Sequence, residues 1–355
     1  MSKRPFVLVL FSAVLFGISL PLAKLLTREM HPIALAGFLY LGAFVGLGLF
    51  ALERKITGRG RKGGVADKRV ASLNKKDLPW LAAATIAGGV LGPISLMAGL
   101  ARTSGYSASL LLNLEGVATA LIAVRFFKEE APRRLWLALG VMTAAGVCLT
   151  WDPGLGRFNI TGPLLITLAM VCWGLDNNFT RNISDKDPVQ IAGIKGLFAG
   201  AISLSLVVVL GINLTITIQT GYALLVGALC YGLSLVLFIK ALQRLGAFRA
   251  GAFFSLVPFI GVAVSLIVLR EPLGIAMFWA CLLMVVGVWL IITEKHAHAH
   301  RHERLMHFHS HTHGDLHHFH PHPEAIEVPH SHEHTHEAAD HIHGHWPDIH
   351  HRHEH

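Results

Sequence analysis

One carboxylate interrupts a long apolar run in the first third of the chain. Glu115 lies about eleven residues into the segment 105–126, in the run L-N-L-E-G that begins at Leu112. In a membrane-spanning segment, a charge at this depth costs about 2.5–3.5 kcal/mol on insertion scales, so it faces the protein interior or a water-filled cavity. Glu115 is therefore predicted to carry a proton or bind a cation, with Asn113 beside it. The alternative is a protonated glutamic acid that bonds to Asn113 or to a neighbouring helix.

A second polar group stands in an apolar segment of the other half. Asp176, Asn177 and Asn178 are consecutive, and Trp173 comes one helical turn before Asn177. Successive residues of a helix point about 100° apart, so at most two of the three share a face. Asp176 or Asn177 is predicted to contact a solute, with Trp173 on the face of Asn177. The alternative is a hydrogen-bonded patch that joins two helices.

Four further charged residues have simpler explanations. Lys24 and Lys195 lie close enough to a segment end for their ammonium groups to reach the membrane interface. Lys195 could instead neutralise Asp176 across the bundle. Glu129 and Glu271 lie at helix ends, where they are predicted to act as caps or gate contacts.

The C-terminal tail is rich in histidine. Of the 24 histidines in the chain, all but His31 fall between His296 and His355, mostly at every second position. Imidazole binds Zn²⁺, Ni²⁺, Co²⁺ and Cu²⁺, and this spacing in a flexible chain lets several nitrogens reach one ion. The predicted metal ligands are His296, His298, His300, His302, His307, His309, His311, His313, His317, His318, His320, His322, His330, His332, His334, His336, His341, His343 and His345. Few apolar residues and several prolines predict a tail that is disordered without metal.

The elements that position these residues are apolar segments. The chain is 53% hydrophobic and 15% charged, and its apolar runs are long enough to cross a bilayer core of about 30 Å. Backbone groups in hydrocarbon must pair within the segment, so each span should be an α-helix. Ten spans are predicted, at 6–26, 32–52, 78–100, 105–126, 135–151, 160–181, 189–210, 221–243, 248–269 and 273–293.

The basic residues indicate the orientation. With the N-terminus in the cytoplasm, 24 lysines and arginines lie on the cytoplasmic side and 5 on the opposite side. This excess is the positive-inside pattern, and it predicts a multi-pass inner-membrane protein with both termini in the cytoplasm. The net charge of +8 then belongs to loops beside lipid headgroups. The basic residues also lack the interleaved aromatics of nucleic-acid binding, so no nucleic-acid partner is expected.

The two halves of the chain repeat each other. A shift of 142 residues aligns Leu100 with Leu242 and Glu129 with Glu271, and a shift of 157 aligns Lys24 with Arg181. Because each half has five spans, the second half should cross the membrane in the inverted direction. Inverted repeats are typical of secondary transporters with a site near the bilayer midplane.

Several short motifs occur in a fixed order within this unit. The stretch Phe16–Lys24 reads F-G-x-x-x-P-x-x-K, and Trp173-Gly174 stands at the matching place in the second half. Pro258 and the stretch Arg270–Leu273 close the ninth span. In this order the motifs resemble the drug/metabolite transporter superfamily of the EamA type, over residues 5–294.

The resemblance implies a transporter that moves small molecules, mainly outward, and it adds a site role to Lys24. The sequence departs from the family pattern where Gly116, preceded by Glu115, stands in place of the proline that matches Pro258. The domains expected are two five-helix repeats, 1–151 and 152–294, and a metal-binding cytoplasmic tail, 295–355.

Two cargoes remain open for this exporter. In one, the tail gathers Ni²⁺, Co²⁺ or Zn²⁺ and passes it to Glu115 and Asp176. In the other, the cargo is an amino acid or polar metabolite, and the tail is a metal sensor or buffer. No cofactor is required in either, membrane lipid is the expected surrounding, and a homodimer is left as an option. An enzyme is not expected, because the spans hold no nucleophile with a base and an orienting group.

Overall fold

The chain separates into two compact units. The first comprises Met1–Leu52 and Ser72–Thr293, and the second comprises Glu53–Ala71 and Glu294–His355. A computed structural model describes residues 4–56, 73–127, 133–149, 151–152, 157–158, 160–183, 186–245, 254, 256–272, 274–292, 297–302, 305–311, 330–336 and 339–344.

The first unit is built from helices, as its apolar segments require. In the first half these are α1 (Arg4–Gly17), α2 (Ser19–Leu26), α3 (Pro32–Ile56), α4 (Leu78–Ala84), α5 (Gly92–Leu100), α6 (Gly105–Leu111), α7 (Leu114–Phe127) and α8 (Arg133–Cys148). Two antiparallel strands of two residues each, β1 (Trp151–Asp152) and β2 (Arg157–Phe158), precede the second half. There follow α9 (Thr161–Arg181), α10 (Pro188–Val209), α11 (Ile218–Val226), α12 (Ser234–Leu245), α13 (Val257–Val268) and α14 (Ile275–Ile292).

Six helical stretches of the described residues are long and apolar enough to cross a membrane. They are Phe6–Leu26, Pro32–Leu52, Leu78–Leu100, Gly105–Phe126, Val189–Val209 and Ile218–Ala241. Three shorter apolar helices are Trp136–Cys148, Val257–Val268 and Ile275–Leu290. The 21-residue helix α9 carries the polar run that begins at Asp176. The protein is therefore a multi-pass helical membrane protein.

Several of the predicted spans are interrupted. The first is interrupted at Ile18, between α1 and α2, where Pro21 lacks the N–H that would bond to Gly17. The fourth is broken between α6 and α7. Hydropathy places spans but does not detect such breaks, because each break depends on one or two backbone hydrogen bonds.

Two further interruptions are π-helical segments. Thr85–Leu91 joins α4 to α5, and Gly227–Leu233 joins α11 to α12. In the first, the Gly92 N–H donates to the Ala87 carbonyl, five residues back. The next donor in this pattern would be Pro93, which has no N–H, so the π-helical pattern supplies no backbone donor for the Gly88 carbonyl.

The tail, whose disorder without metal stays a prediction, is described in part. Its described residues form four strands, β3 (Ala297–His302), β4 (Leu305–His311), β5 (His330–His336) and β6 (Ala339–Gly344). β3 pairs antiparallel with β6, and β4 with β5. Histidine at every second position has the two-residue period of a strand.

Candidate functional site

Glu115 lies at a break in the fourth apolar span. Helix α6 ends at Leu111 and α7 begins at Leu114, so Glu115 occupies the first turn of a new helix. The Asn113 side-chain amide donates to the Leu110 carbonyl at 3.1 Å, and asparagine bonds of this kind compete with helix continuation. A carboxylate in a first turn is also favoured by the helix dipole. Because of this break, Glu115 lies at the start of a helix that begins inside the membrane-spanning segment.

Glu115 is bonded to the polar run of α9. The Asn177 side-chain amide donates to Glu115 Oε1 at 3.0 Å and to Thr119 Oγ1 at 3.1 Å. Asn177 is exposed and Glu115 is half-buried, so both border open space. Glu115 and Asn177, two of the predicted pathway residues, are thus hydrogen-bonded to each other. Asn113, two residues before Glu115, donates to the Leu110 carbonyl of α6.

Asp176 faces a different partner from its neighbour Asn177. Lys195 Nζ, on α10, lies 2.5 Å from Asp176 Oδ1 and 2.6 Å from Oδ2. The Thr180 hydroxyl also donates to Oδ1, at 3.0 Å. The Lys195 and Asp176 side chains are only 15% and 14% exposed. The alternative in which Lys195 neutralises Asp176 is therefore the one that the structure shows, and the pair joins α9 to α10.

The first π-helical segment completes this cluster. The Gly88 carbonyl, which the π-helical pattern leaves without a backbone donor, accepts from the Tyr40 hydroxyl at 2.9 Å and from Trp173 Nε1 at 3.0 Å. Trp173 is 9% exposed and also packs against Gly92. The predicted residue Trp173 thus lies in the same cluster as Asp176, although its polar contact is a backbone carbonyl.

Sequence reasoning missed three members of the cluster, namely Tyr40, Gly88 and Thr119. A tyrosine hydroxyl within an apolar span needs a partner, and that signal was available for Tyr40. Gly88 follows no recognisable motif, because its role depends on the helix geometry around it.

Lys24 makes its described contacts elsewhere. Its Nζ donates to the Leu100 carbonyl at 2.5 Å, and Glu271 and Arg28 are its charged neighbours. Glu271 in turn accepts from the backbone N–H groups of Gly105 and Tyr106, at 2.6 and 3.0 Å. The prediction of Glu271 as a helix cap is confirmed. Glu129 lies outside the described residues.

Metal ligands do not gather among the side chains that the structure describes, where no group of three histidine, cysteine, aspartate or glutamate residues occurs. Seven predicted ligands lie outside the described residues: His296, His313, His317, His318, His320, His322 and His345. The other twelve lie in the four tail strands.

A bundle of apolar helices around a buried ion pair is typical of a membrane transporter, and the comparisons with known proteins agree. Residues 3–151 and 160–293 match the EamA-like transporter family, and the chain belongs to that family. It is 28% identical over 298 residues to an uncharacterized transporter of Methanothermobacter thermautotrophicus, covering 81% of this chain and 85% of that protein. A solved protein structure shares the fold, with a TM-score of 0.57, 17% identity, and coverage of 82% of this chain and 96% of that one.

Proposed function

We propose that the protein is a secondary transporter that exports a small solute past the cluster formed by Glu115, Asn177, Asp176 and Lys195. The observation that carries this proposal is the charged pair between α9 and α10, beside a broken helix and a π-helical segment. Exposed polar groups are costly against lipid, so the open space beside Glu115 and Asn177 is best explained as part of an aqueous pathway. Discontinuous helices surround the sites of many secondary transporters.

Equivalent local geometry in the two halves supports a ten-span inverted repeat. The two π-helical segments begin 142 residues apart, which is the shift that aligns the sequences of the halves. An added Cβ at Gly17 would lie 2.8 Å from Ile260 Cβ, and one at Gly174 would lie 3.1 Å from Ala118 Cβ. Gly174 follows Gly17 by 157 residues and Ile260 follows Ala118 by 142, so the contact is repeated. We place the repeats at 1–151 and 152–294.

The charges of the cluster favour an organic solute over a metal ion as cargo. A dication at Asp176 would lie within a few ångströms of the Lys195 ammonium group, which repels it at low dielectric. A solute with its own ammonium and carboxylate groups could exchange with both partners of the pair and keep the site neutral. This balance matters because each unpaired buried ion costs several kcal/mol. We therefore favour an amino acid or polar metabolite.

An aromatic surface adjoins the charged cluster through Tyr40. The Tyr40 ring lies 6.2 Å from that of Tyr231, which makes an edge contact with Phe16 at 5.5 Å. Phe16 stacks on Phe254 at 5.6 Å. Tyr40, Tyr231, Phe16 and Phe254 are only partly buried, unlike the core leucines, so they can line the apolar side of the same pathway.

Metal export is the second candidate, and the histidine spacing of the tail is the observation that favours it. We propose that the tail lies in the cytoplasm and binds Ni²⁺, Co²⁺, Zn²⁺ or Cu²⁺. With a metabolite as cargo, this binding makes the tail a sensor or buffer. With a metal as cargo, it concentrates ions near the cytoplasmic mouth.

A cell assay separates the two cargoes. Cells of a strain lacking the gene, with and without the expressed protein, are measured for nickel, cobalt and zinc content and for export of an amino-acid panel. We expect unchanged metal content and increased export of one or more amino acids, with Asp176→Asn abolishing the difference and Gly221→Ala preserving it. Lower cell-associated metal with unchanged amino-acid export would reverse the assignment.

A further inference from the structure

Gly88 occupies a position in the first π-helical segment where any side chain would overlap that of Asp176. An added Cβ at this position would overlap the Asp176 carboxylate and lie 2.5 Å from Asp176 Cβ. The carboxylate cannot easily move aside, because Lys195 and Thr180 hold it from the other directions. The absence of a side chain at position 88 therefore decides where the carboxylate lies.

The second π-helical segment shows that this requirement belongs to the charged site and not to π-helical geometry. Position 230, which is 142 residues after Gly88, is a buried cysteine within Gly227–Leu233. The residue 157 positions before Asp176 is Ser19, which is uncharged and bonds to the Phe16 carbonyl. The second segment thus accommodates a side chain where no carboxylate opposes it.

The backbone of Gly88 is also distinct from its counterpart. Pro93 withholds a hydrogen-bond donor from the Gly88 carbonyl, whereas Leu235, at the position equivalent to Pro93, has a backbone N–H. The Gly88 carbonyl consequently holds Tyr40 of α3 and Trp173 of α9. One residue thus contacts the Asp176 side chain on one side and anchors two neighbouring helices on the other.

We propose that Gly88 is a positioning residue for transport: it sets the Asp176 carboxylate against Lys195 and, through its carbonyl, links that pair to the side chains of Tyr40 and Trp173. When a solute displaces Lys195 from Asp176, the carboxylate and the π-helical segment move together. The helices bonded to that segment then change position as well. This inference rests on the proposed site at Asp176 and Lys195, but it makes a prediction that needs no solute.

The experiment is a double-mutant cycle on the purified full-length protein in detergent. Unfolding temperatures are measured for Asp176→Asn, Lys195→Met and the double variant, in the wild-type, Gly88→Ala and Gly221→Ala backgrounds. Gly221→Ala is the matched control, because an added Cβ there meets no described atom within 4 Å. A cycle reports the coupling of the two residues and not the general stability of the background.

We expect clear non-additivity in the wild-type and Gly221→Ala backgrounds, where the double variant unfolds no earlier than the worse single variant. In the Gly88→Ala background the two effects should add. Equal coupling in all three backgrounds would overturn the inference. If Gly88→Ala fails to accumulate in the membrane, we expect Asp176→Ala combined with Lys195→Met to restore it, because this pair of changes removes the clash without leaving a buried lysine unpaired; no restoration would also overturn the inference.

The transport assay then separates this inference from the proposed function. With a solute identified, Gly88→Ala should lower the maximal rate at least tenfold, whereas Gly221→Ala should stay within twofold of wild type. Lost coupling with no transport of any tested solute would leave the positioning role intact and count against the proposed function. Lost coupling with wild-type transport would contradict the link between the pair and the cycle.

Discussion

Replacing Glu115 by glutamine separates a titrating carboxylate from a packing group. The glutamine oxygen can still accept the hydrogen bond that Asn177 donates to Glu115 Oε1 at 3.0 Å. The free energy of unfolding should therefore change by less than about 1 kcal/mol. The variant cannot ionise, however, so transport that depends on proton or cation exchange at this position should fall at least tenfold.

Glu115→Leu provides the structural contrast. It removes the carboxylate oxygen that accepts from Asn177, so the Asn177 amide keeps only its bond to Thr119 Oγ1. Asn177 is exposed and keeps its bond to Thr119, so the loss of one hydrogen bond should cost about 0.5–1.5 kcal/mol. At about 2 °C per kcal/mol for a chain of this length, the unfolding temperature should fall by about 1–3 °C.

The assay combines membrane expression, thermal unfolding in detergent and the rate of solute export between pH 5.5 and 8. Glu115→Gln should match wild type in membrane expression and in unfolding temperature. It should lose solute export and the pH dependence of that export. Glu115→Asp should retain part of the rate. A glutamine variant that exports solute at the wild-type rate, with the wild-type pH profile, would refute the reasoning.

Three further predictions concern the ion pair, the tail and the topology. Asp176→Asn leaves Lys195 buried without its counterion and should destabilise the protein by about 3 kcal/mol, seen as a lower unfolding temperature that adding Lys195→Met partly restores. The isolated segment 296–355 should bind several Ni²⁺ or Zn²⁺ ions at pH 7.5 and few at pH 5 in a calorimetric titration, because histidine has a pKa near 6.5 and binds metal only when neutral. Deleting this segment should leave a membrane-inserted protein, and an aggregated product would contradict that. A reporter fused after Glu294 should be active only in a cytosolic form and one near Arg157 only in a periplasmic form, so the reverse result would exclude both termini being cytoplasmic.

The sequence predicted the candidate site better than the local shape of its helices. Glu115 and Asp176 could be found because a carboxylate within an apolar run is costly and rare, so its presence is informative on its own. The sequence also offered Lys195 as a residue that could neutralise Asp176 across the bundle, and the two side chains form an ion pair.

The π-helical segments could not be predicted, since a shift of one backbone hydrogen bond leaves no pattern in the side chains. Gly88 acquires its role only from Asp176, Tyr40 and Trp173, which reach it from distant parts of the chain.

Solute counterflow into proteoliposomes tests the central claim most directly. The full-length protein is reconstituted with amino acids and polar metabolites inside, and uptake of the labelled solute is measured beside uptake of Ni²⁺. The account predicts saturable uptake of an organic solute that Glu115→Gln and Asp176→Asn abolish and Gly221→Ala preserves. Uptake at the wild-type rate in both carboxylate variants, or Ni²⁺ flux that depends on segment 296–355 and on neither carboxylate, would contradict it.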